Sequence, residues 1–333
     1  MKKRKILALV ITVILLGVIF YKINWAELLQ TFREFNFKNM IWIVPLYVLT
    51  LYLRGIRWKA LLLNNPNYSS LHLGEVFTVG SMLNIFLPAR AGDVYRAYYL
   101  GTVKKERKMK VFGSIILERI FDGICVFLIL LTAILLYCRE QWILNLAYGI
   151  GALFIGSLIV FYLIFKFNKI DLICEKLTAL AANLPEKSAA SAKNLIHKTC
   201  NYIDSFIEGF EVLDNIRCTL ITFISSLIIW GTECYVAYLI IDSFDLGLGL
   251  SAGLFVLSLI SFSTMIPSTS VFLGPYQYAY ILALGIFNIP KSTALAVSTV
   301  HQAILMLMLT VIGGYYLFKF NISLNDVKSS ENE

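Results

Sequence analysis

The sequence has few charged residues. Asp, Glu, Lys and Arg make up 15% of its 333 residues, whereas hydrophobic residues make up 58%. A soluble domain of this length cannot bury so much apolar surface. Several apolar runs instead approach the roughly 20 residues that a helix needs to span a lipid bilayer. The composition therefore argues against a soluble enzyme or binding module and predicts an all-helical polytopic membrane protein.

Cysteine and histidine are also scarce, with six and three residues. No two cysteines form a C-x-x-C pair, and several lie inside apolar runs, so we expect free thiols without a redox role. The three histidines, His72, His197 and His301, have unrelated surroundings in the sequence. This spacing argues against a metal site, and we expect no cofactor.

The chain lacks a P-loop, a G-x-S-x-G nucleophile turn and a G-x-G-x-x-G fingerprint followed by a helix. ATP hydrolysis, serine-hydrolase chemistry and dinucleotide binding therefore have no support, and we expect a protein that is not an enzyme. The net charge of +8 does not require a nucleic-acid partner. Basic residues at the ends of membrane spans explain it more simply.

Apolar runs predict six full membrane spans, near residues 6–22, 40–58, 112–137, 143–165, 217–241 and 292–318. The first run follows the basic "KKRK" but precedes no small-residue cleavage site, so we interpret it as an uncleaved span. We assign residues 1–320 to one domain and residues 321–333 to a polar cytoplasmic tail. The hydrophilic stretch 167–216 has helical periodicity and predicts a cytoplasmic amphipathic segment that lies on the membrane or packs under the bundle. A helix that docks a partner is the alternative.

Two further stretches, 74–100 and 250–288, are apolar but are interrupted near their middles by Pro, Gly and polar residues. A broken helix at membrane depth requires protein or a water-filled cavity to satisfy its freed backbone groups. We predict that each stretch is a re-entrant hairpin of two short helices. The predicted turn residues are Pro88, Gly92, Pro267 and Gly274.

The distribution of Lys and Arg predicts the orientation in the cell membrane. Basic clusters such as those at 2–5 and 104–110 place both termini in the cytoplasm by the positive-inside rule. This holds only if the first hairpin opens to the cytoplasm and the second to the outside. The two hairpins would then form an inverted repeat, the plan of many secondary transporters. A chance likeness between the two segments is the alternative.

Charged residues inside apolar segments are the candidates for function, because each costs at least about 2.5–3.5 kcal/mol at the bilayer centre. One interpretation is a structural ion network that holds the first hairpin. The other is an anion site, in which arginines offer paired donors to a phosphate. The headgroup-binding candidates are Arg90, Arg96 and Arg119. The candidates for charge tuning or coupling are Asp93, Glu118, Asp122, Glu233 and His301.

The second hairpin is neutral where the first is charged. Its hydroxyl groups either bond back to their own helices or line a hydrophilic groove. The candidates for lining the groove are Ser263, Thr264, Ser268, Tyr276 and Gln277. For His301, a hydrogen bond between helices is the alternative to a role in proton coupling.

The motifs "LPARAGDVYRAYYL" and "ILERIFDGI" resemble those of the lysylphosphatidylglycerol synthase transmembrane-region family, which includes flippase-like domain proteins of the UPF0104 type. The segment "GPYQYAYILALGIFNIPKSTALAVSTVHQAI" is similar to the family's second glycine hairpin. Asp93 stands where the family has Glu, and Gln277 and His301 stand where it has Glu and Arg. The resemblance implies a domain that moves lipids or lipid-linked molecules between leaflets.

The sequence thus predicts a flippase for an anionic phospholipid or a polyprenyl-phosphate-linked lipid, acting without ATP. A non-transporting accessory subunit of a lipid or glycan synthesis enzyme is the first alternative. A membrane-embedded enzyme that uses Glu118 or Glu233 as general base is the second. The partners considered are a membrane lipid with a phosphate-bearing headgroup, a lipid- or glycan-modifying enzyme, and a second copy of the chain in a homodimer.

Overall fold

A computed structural model describes residues 25–87, 90–137, 141–167, 170–181, 186–264 and 274–320 of the chain. These residues are helical and contain no strand. The span predicted at 6–22 and the tail 321–333 lie outside the described residues. So do the predicted turn residues Pro88 and Pro267 and the predicted groove residue Ser268.

The described residues form twelve α-helices. In chain order they are α1 (Trp25–Arg33), α2 (Met40–Leu61), α3 (Ser70–Phe86), α4 (Ala91–Val103), α5 (Lys108–Tyr137), α6 (Gln141–Lys166), α7 (Ile170–Ala181), α8 (Glu186–Glu208), α9 (Ile216–Asp242), α10 (Leu250–Ser263), α11 (Pro275–Gly285) and α12 (Lys291–Lys319).

Five of these helices are long and apolar enough to cross a membrane: α2, α5, α6, α9 and α12. They coincide with the five predicted spans that fall within the described residues. The prediction of an all-helical membrane protein is therefore confirmed. Length and apolarity alone suffice here, because a run of 22 or more such residues exceeds the roughly 30 Å hydrocarbon core.

Two pairs of short helices lie where the sequence is interrupted. Helices α3 and α4 have 17 and 13 residues, and α10 and α11 have 14 and 11. At 1.5 Å per residue they are about 26, 20, 21 and 17 Å long, all shorter than the hydrocarbon core of about 30 Å. Within each pair the two helices pack against each other.

Local sequence explains both interruptions. Helix α3 ends at Phe86, and the next residue, Leu87, is extended. This is the conformation favoured before a proline, here Pro88. In the second pair Gly274 has a φ of 94°, which a residue with a side chain rarely adopts, and Pro275 begins α11 in the position that proline favours.

Gly92, predicted at the turn, instead lies in the first turn of α4. Arg90 takes the left-handed conformation before this helix, with a φ of 55°. A Cβ added at Gly92 would overlap the backbone carbonyl oxygen of Gly80 on α3. Gly92 is therefore needed for the close approach of the two helices and not for the turn itself.

Helices α2 and α9 pack along each other in the centre of the molecule, and both contact α5. Helix α12 packs against α3, α11 and α1, while α10 packs against α5, α9 and α11. Both short pairs are thereby held against long helices. Helix α6 packs mainly on α5 and exposes apolar side chains such as Leu153, Ile159 and Leu163, as expected for a lipid-facing helix.

The hydrophilic stretch contains α7 and α8. Cys174 and Cys200 form a disulfide between these helices, so the expectation that all the cysteines are free is wrong. Both lie outside the apolar runs, whereas the free Cys125, Cys218 and Cys234 are buried. Helix α8 packs against α5, which agrees with a segment that packs under the bundle.

Candidate functional site

A cavity of about 290 Å³ lies among α2, α3, α5, α9, α10 and α12, and we call it the central cavity. Arg90, which precedes α4, and Thr264, at the end of α10, both line it. Its polar and charged lining residues are Tyr47, Arg54, Ser81, Asn84, Arg90, Arg119, Glu233, Thr264 and His301. The structure thus brings together site candidates that are far apart in the sequence.

Three arginines line the central cavity: Arg54 from α2, Arg90 from the turn before α4, and Arg119 from α5. Glu233 is the one carboxylate among the described lining residues. The wall therefore has an excess of positive charge. The planar guanidinium fork suits phosphate and carboxylate groups, so this wall can bind an anion.

Arg90 is the arginine of this wall that is most available to a ligand. Its side chain is exposed, and within the described ranges no carboxylate lies at ion-pair distance from it. The left-handed backbone at Arg90 is uncommon for a residue with a side chain. Its position at the tip of the α3–α4 pair places the guanidinium where a headgroup could reach it.

A second group of charges lies next to the cavity and is almost fully buried. We call it the buried charge cluster, and its members are Arg57, Arg96, Arg119, Asp93, Glu118 and Asp122. Three cations face three anions. The cluster is therefore neutral overall, which offsets the cost of burying so many charges.

Glu118 lies at the centre of this cluster and is fully buried. Its Oε2 accepts a hydrogen bond from Arg96 Nη2 at 2.7 Å, and its Oε1 lies 3.0 Å from Arg57 Nη2. Arg57 also donates to Asp122 Oδ1 at 2.5 Å. The carboxylates of α5 thereby tie α2 to α4.

Arg119 belongs to both the cluster and the cavity wall. Its Nη2 donates to Asp93 Oδ1 at 3.0 Å, and its Nη1 lies 3.6 Å from Asp122 Oδ2. The side chain of Arg119 remains 28% exposed. The structural and the anion-binding interpretations of the charges therefore combine, since the network holds Arg119 at the wall.

Arg96, predicted to bind a headgroup, does not line the central cavity. Its side chain is fully buried and lies between the rings of Trp58 and Phe77, with the guanidinium carbon 4.1 and 4.6 Å from their centroids. Its guanidinium nitrogens bond to Glu118. The helical position of Arg96 turns it towards α5, whereas Arg90 precedes the helix and faces the cavity.

The residues missed by sequence reasoning are Arg54, Arg57 and Asn84. In the sequence the two arginines lie near the end of the span predicted at 40–58, where basic residues are common. Their spacing of three residues inside an apolar helix, together with Glu233 in another, is the signal that could have found them. Asn84 carries no such signal, because a single amide near a helix end is common.

Asn84 holds the start of α4. Its Oδ1 accepts a hydrogen bond from the backbone N–H of Gly92 at 2.8 Å, and its Nδ2 donates to Asp93 Oδ1 at 3.2 Å. The first N–H groups of a helix have no partner within the helix, so a side-chain acceptor stabilises its start. Asn84 thereby positions the residues that follow Arg90.

We expect Asn84→Ala to lower the free energy of unfolding by about 1–2 kcal/mol, because Gly92 loses its acceptor. The measurement is the apparent melting temperature of purified protein in detergent. Asn145→Ala is the matched control, since Asn145 is exposed and accepts a hydrogen bond from Gln141 one helical turn away. Equal melting temperatures for the two variants would contradict the assignment.

The hydroxyls of the second pair mostly bond to their own helix. Ser263 and Thr264 donate to the backbone carbonyls of Ile260 and Ser261. Thr264 lines the central cavity, whereas Ser263 is buried away from it. Of the two alternatives for these hydroxyls, the structure therefore shows the back-bonded one, with Thr264 also at the wall.

The predicted groove residues Tyr276 and Gln277 are also buried and do not line the cavity. Gln277 accepts from the N–H of Gly274 at 2.9 Å and donates to Gln302 on α12 at 2.6 Å. Gln277 therefore caps the start of α11 and joins α11 to α12. Both polar atoms of the Gln277 side chain are therefore used in contacts within the protein.

His301 lines the cavity from α12, and its Nδ1 is hydrogen-bonded to the hydroxyl of Tyr280 on α11. The ring also makes an edge contact with Tyr276. The structure thus shows the hydrogen bond between helices that was one of the two alternatives for this residue.

Glu233 projects from α9 into the cavity wall, where Arg54 Nη2 donates to its Oε1. The guanidinium of Arg54 also lies over the rings of Phe77 and Trp230, 5.1 and 5.9 Å from their centroids. This pair is separate from the buried charge cluster, with which it shares no ion pair in the described part of the chain.

One family model and two known membrane proteins are similar to this chain in sequence. A family model described as the lysylphosphatidylglycerol synthase TM region matches residues 5–313. A UPF0104 membrane protein of Methanocaldococcus jannaschii is 29% identical over 261 residues, which cover 75% of this chain and 98% of that protein. A UPF0104 membrane protein of Pyrococcus horikoshii is 23% identical over 95% of this chain and 97% of its own length. No solved structure matches the chain.

Proposed function

Because the chain belongs to the lysylphosphatidylglycerol synthase transmembrane-region family, we propose that it moves a lipid with a phosphate-bearing headgroup between the leaflets of the cell membrane. The lipid is an anionic phospholipid or a polyprenyl-phosphate-linked lipid, and the movement requires no ATP hydrolysis. The observation that carries this proposal is the meeting of Arg54, Arg90 and Arg119 at one cavity beside two pairs of short helices.

In the proposed mechanism the headgroup enters the central cavity while its tails remain in the lipid. Arg90 and Arg119 donate hydrogen bonds to the phosphate, which compensates for its lost hydration. Asp93 and Asp122 hold Arg119 and partly neutralise it. This partial neutralisation limits the affinity, so that the phosphate can leave on the other side.

We also propose that both short pairs are re-entrant and oppositely oriented, with both termini in the cytoplasm. The lengths of the four helices support this, since none alone spans the hydrocarbon core. The bias of Lys and Arg supports the orientation. The two pairs then form an inverted repeat around the cavity, and headgroup recognition is concentrated on the first pair because the second is neutral.

The experiment that tests this function is the flipping of a fluorescent phosphatidylglycerol in proteoliposomes. We expect Arg90→Ala to slow flipping at least about tenfold, since a hydrogen bond to a charged group contributes about 1.5–3 kcal/mol. Arg107→Ala is the matched control, because Arg107 is exposed and pairs with Glu208 outside the cavity.

Equal rates for Arg90→Ala and wild type would overturn the arginine mechanism. An inactive wild-type protein that copurifies with a lipid- or glycan-modifying enzyme would support an accessory subunit instead. The flipping assay, combined with copurification, therefore separates a transporter from an accessory subunit.

A further inference from the structure

Arg54 and Glu233 form an ion pair in the wall of the central cavity, and their side chains are 11% and 17% exposed. We propose that Glu233 is a resident counter-ion that the phosphate of the ligand displaces, and that Arg54 is a third headgroup-binding arginine. This inference rests on the proposed function and assigns the ligand exchange within its site.

The contacts of Glu233 make it the exchangeable carboxylate. Each carboxylate of the buried charge cluster contacts two arginines, as Glu118 does with Arg57 and Arg96. Among the described residues Glu233 contacts one arginine, through a single oxygen. Releasing Glu233 therefore breaks one ion pair, whereas releasing Glu118 would break ion pairs with two buried arginines and leave the buried charge cluster with one uncompensated positive charge.

The surroundings of Arg54 keep it in place when its partner changes. The guanidinium lies near the rings of Phe77 and Trp230, which attract a cation whether or not a carboxylate is bound. A phosphate oxygen that replaces the Glu233 carboxylate would therefore meet a donor already in position. The freed carboxylate of Glu233 would face the central cavity.

The exchange has a consequence for transport. Without Glu233 the described wall would hold three arginines and no carboxylate, and a bound phosphate would leave slowly. A translocation site has to bind its ligand strongly enough for entry and weakly enough for release. Competition from Glu233 lowers the affinity through one arginine and leaves Arg90 free to capture the headgroup.

The test is a double-mutant cycle in which the Kd of a short-chain phosphatidylglycerol is measured for the full-length protein in detergent. We expect Glu233→Gln to lower the Kd about tenfold, which corresponds to about 1.4 kcal/mol. Arg54→Gln should raise the Kd. In the Arg54→Gln background Glu233→Gln should have no further effect, because the competition acts only through Arg54.

A tenfold lower Kd on adding Glu233→Gln to Arg54→Gln would overturn the exchange, since Glu233 would then act by general repulsion. An unchanged Kd for Glu233→Gln alone would overturn it as well. If wild type does not bind the lipid, the proposed function fails and the inference fails with it. Binding without the cycle pattern overturns the inference alone.

Two additions keep the cycle decisive. Arg54→Lys keeps the charge and replaces Arg54→Gln if that variant does not fold. In the Arg54→Lys background we expect Glu233→Gln to lose part of its effect on the Kd. Inorganic phosphate is titrated in parallel to distinguish a free anion from a lipid. We expect phosphate to bind more weakly than the lipid, with the same ranking of Kd values among the variants. Tighter binding of phosphate than of lipid would overturn the lipid as ligand.

Discussion

Replacing Glu118 by alanine is expected to lower the free energy of unfolding by about 3–5 kcal/mol, because it leaves the buried charge cluster with three cations and two anions, one buried charge uncompensated. Glu118 is fully buried, and both of its oxygens face guanidinium groups, those of Arg57 and Arg96. These contacts join α2, α4 and α5. The measurement is reversible unfolding in mixed micelles, with the apparent melting temperature as a second readout.

Glu208→Ala is the matched control for Glu118→Ala. Glu208 pairs with Arg107 at 2.6 Å, but both side chains are substantially exposed. A pair of this kind contributes about 0–1 kcal/mol. Glu118→Gln separates charge from volume and should retain most of the loss. Similar losses for Glu118→Ala and Glu208→Ala would contradict the role given to the buried charge cluster.

Gly92→Ala is expected to destabilise the protein by about 3 kcal/mol, at the upper end of the range for overpacking. The added methyl group would overlap the carbonyl oxygen of Gly80, which belongs to the backbone of α3 and cannot rotate away. Helices α3 and α4 would have to separate, and Arg90 would move with α4. We therefore expect slower lipid flipping even in the fraction of the protein that folds.

Gly156→Ala is the control for this substitution. Gly156 also lies inside a helix, α6, but nothing lies within 4 Å of a Cβ added there. Alanine is preferred to glycine within helices by about 0.5–1 kcal/mol, so this variant should be as stable as wild type or slightly more stable. If both alanine variants behave alike, the close approach at Gly92 has no energetic importance.

The sequence predicts much of this fold because the bilayer imposes simple local requirements. The spans at α2, α5, α6, α9 and α12 follow from the length and apolarity of continuous runs. The short helices follow from interruptions by proline and glycine. Such features depend on the residues of one segment and not on how the helices pack.

The site is predicted in part, because its charges are visible but their directions are not. Arg90, Arg119, Glu233, Thr264 and His301 all reach the central cavity. Whether a side chain on a helix faces a cavity or a neighbour depends on the rotation of that helix within the bundle. The sequence alone does not give this rotation, so it does not distinguish the buried Arg96 from Arg90 at the wall.

The same limit explains two other differences. Arg54 and Arg57 lie within eight residues of the end of α2, so they resemble the basic residues that flank a span. Only the approach of α5 and α9 gives them partners. The disulfide of Cys174 and Cys200 likewise depends on the pairing of α7 with α8, since their Cα atoms lie 6.3 Å apart although 26 residues separate them in sequence.

The shortness of α3, α4, α10 and α11 has a consequence for the surrounding bilayer. Lipids adapt to a protein whose apolar height is less than their own thickness by thinning locally. In the proposed arrangement this thinning occurs beside the cavity, where a headgroup has to cross. The electrostatic barrier to crossing depends on the thickness of the low-dielectric layer. In that arrangement a charged headgroup crosses two thin low-dielectric layers, one on each side of the polar cavity. Together these layers oppose its crossing less than one continuous hydrocarbon core does.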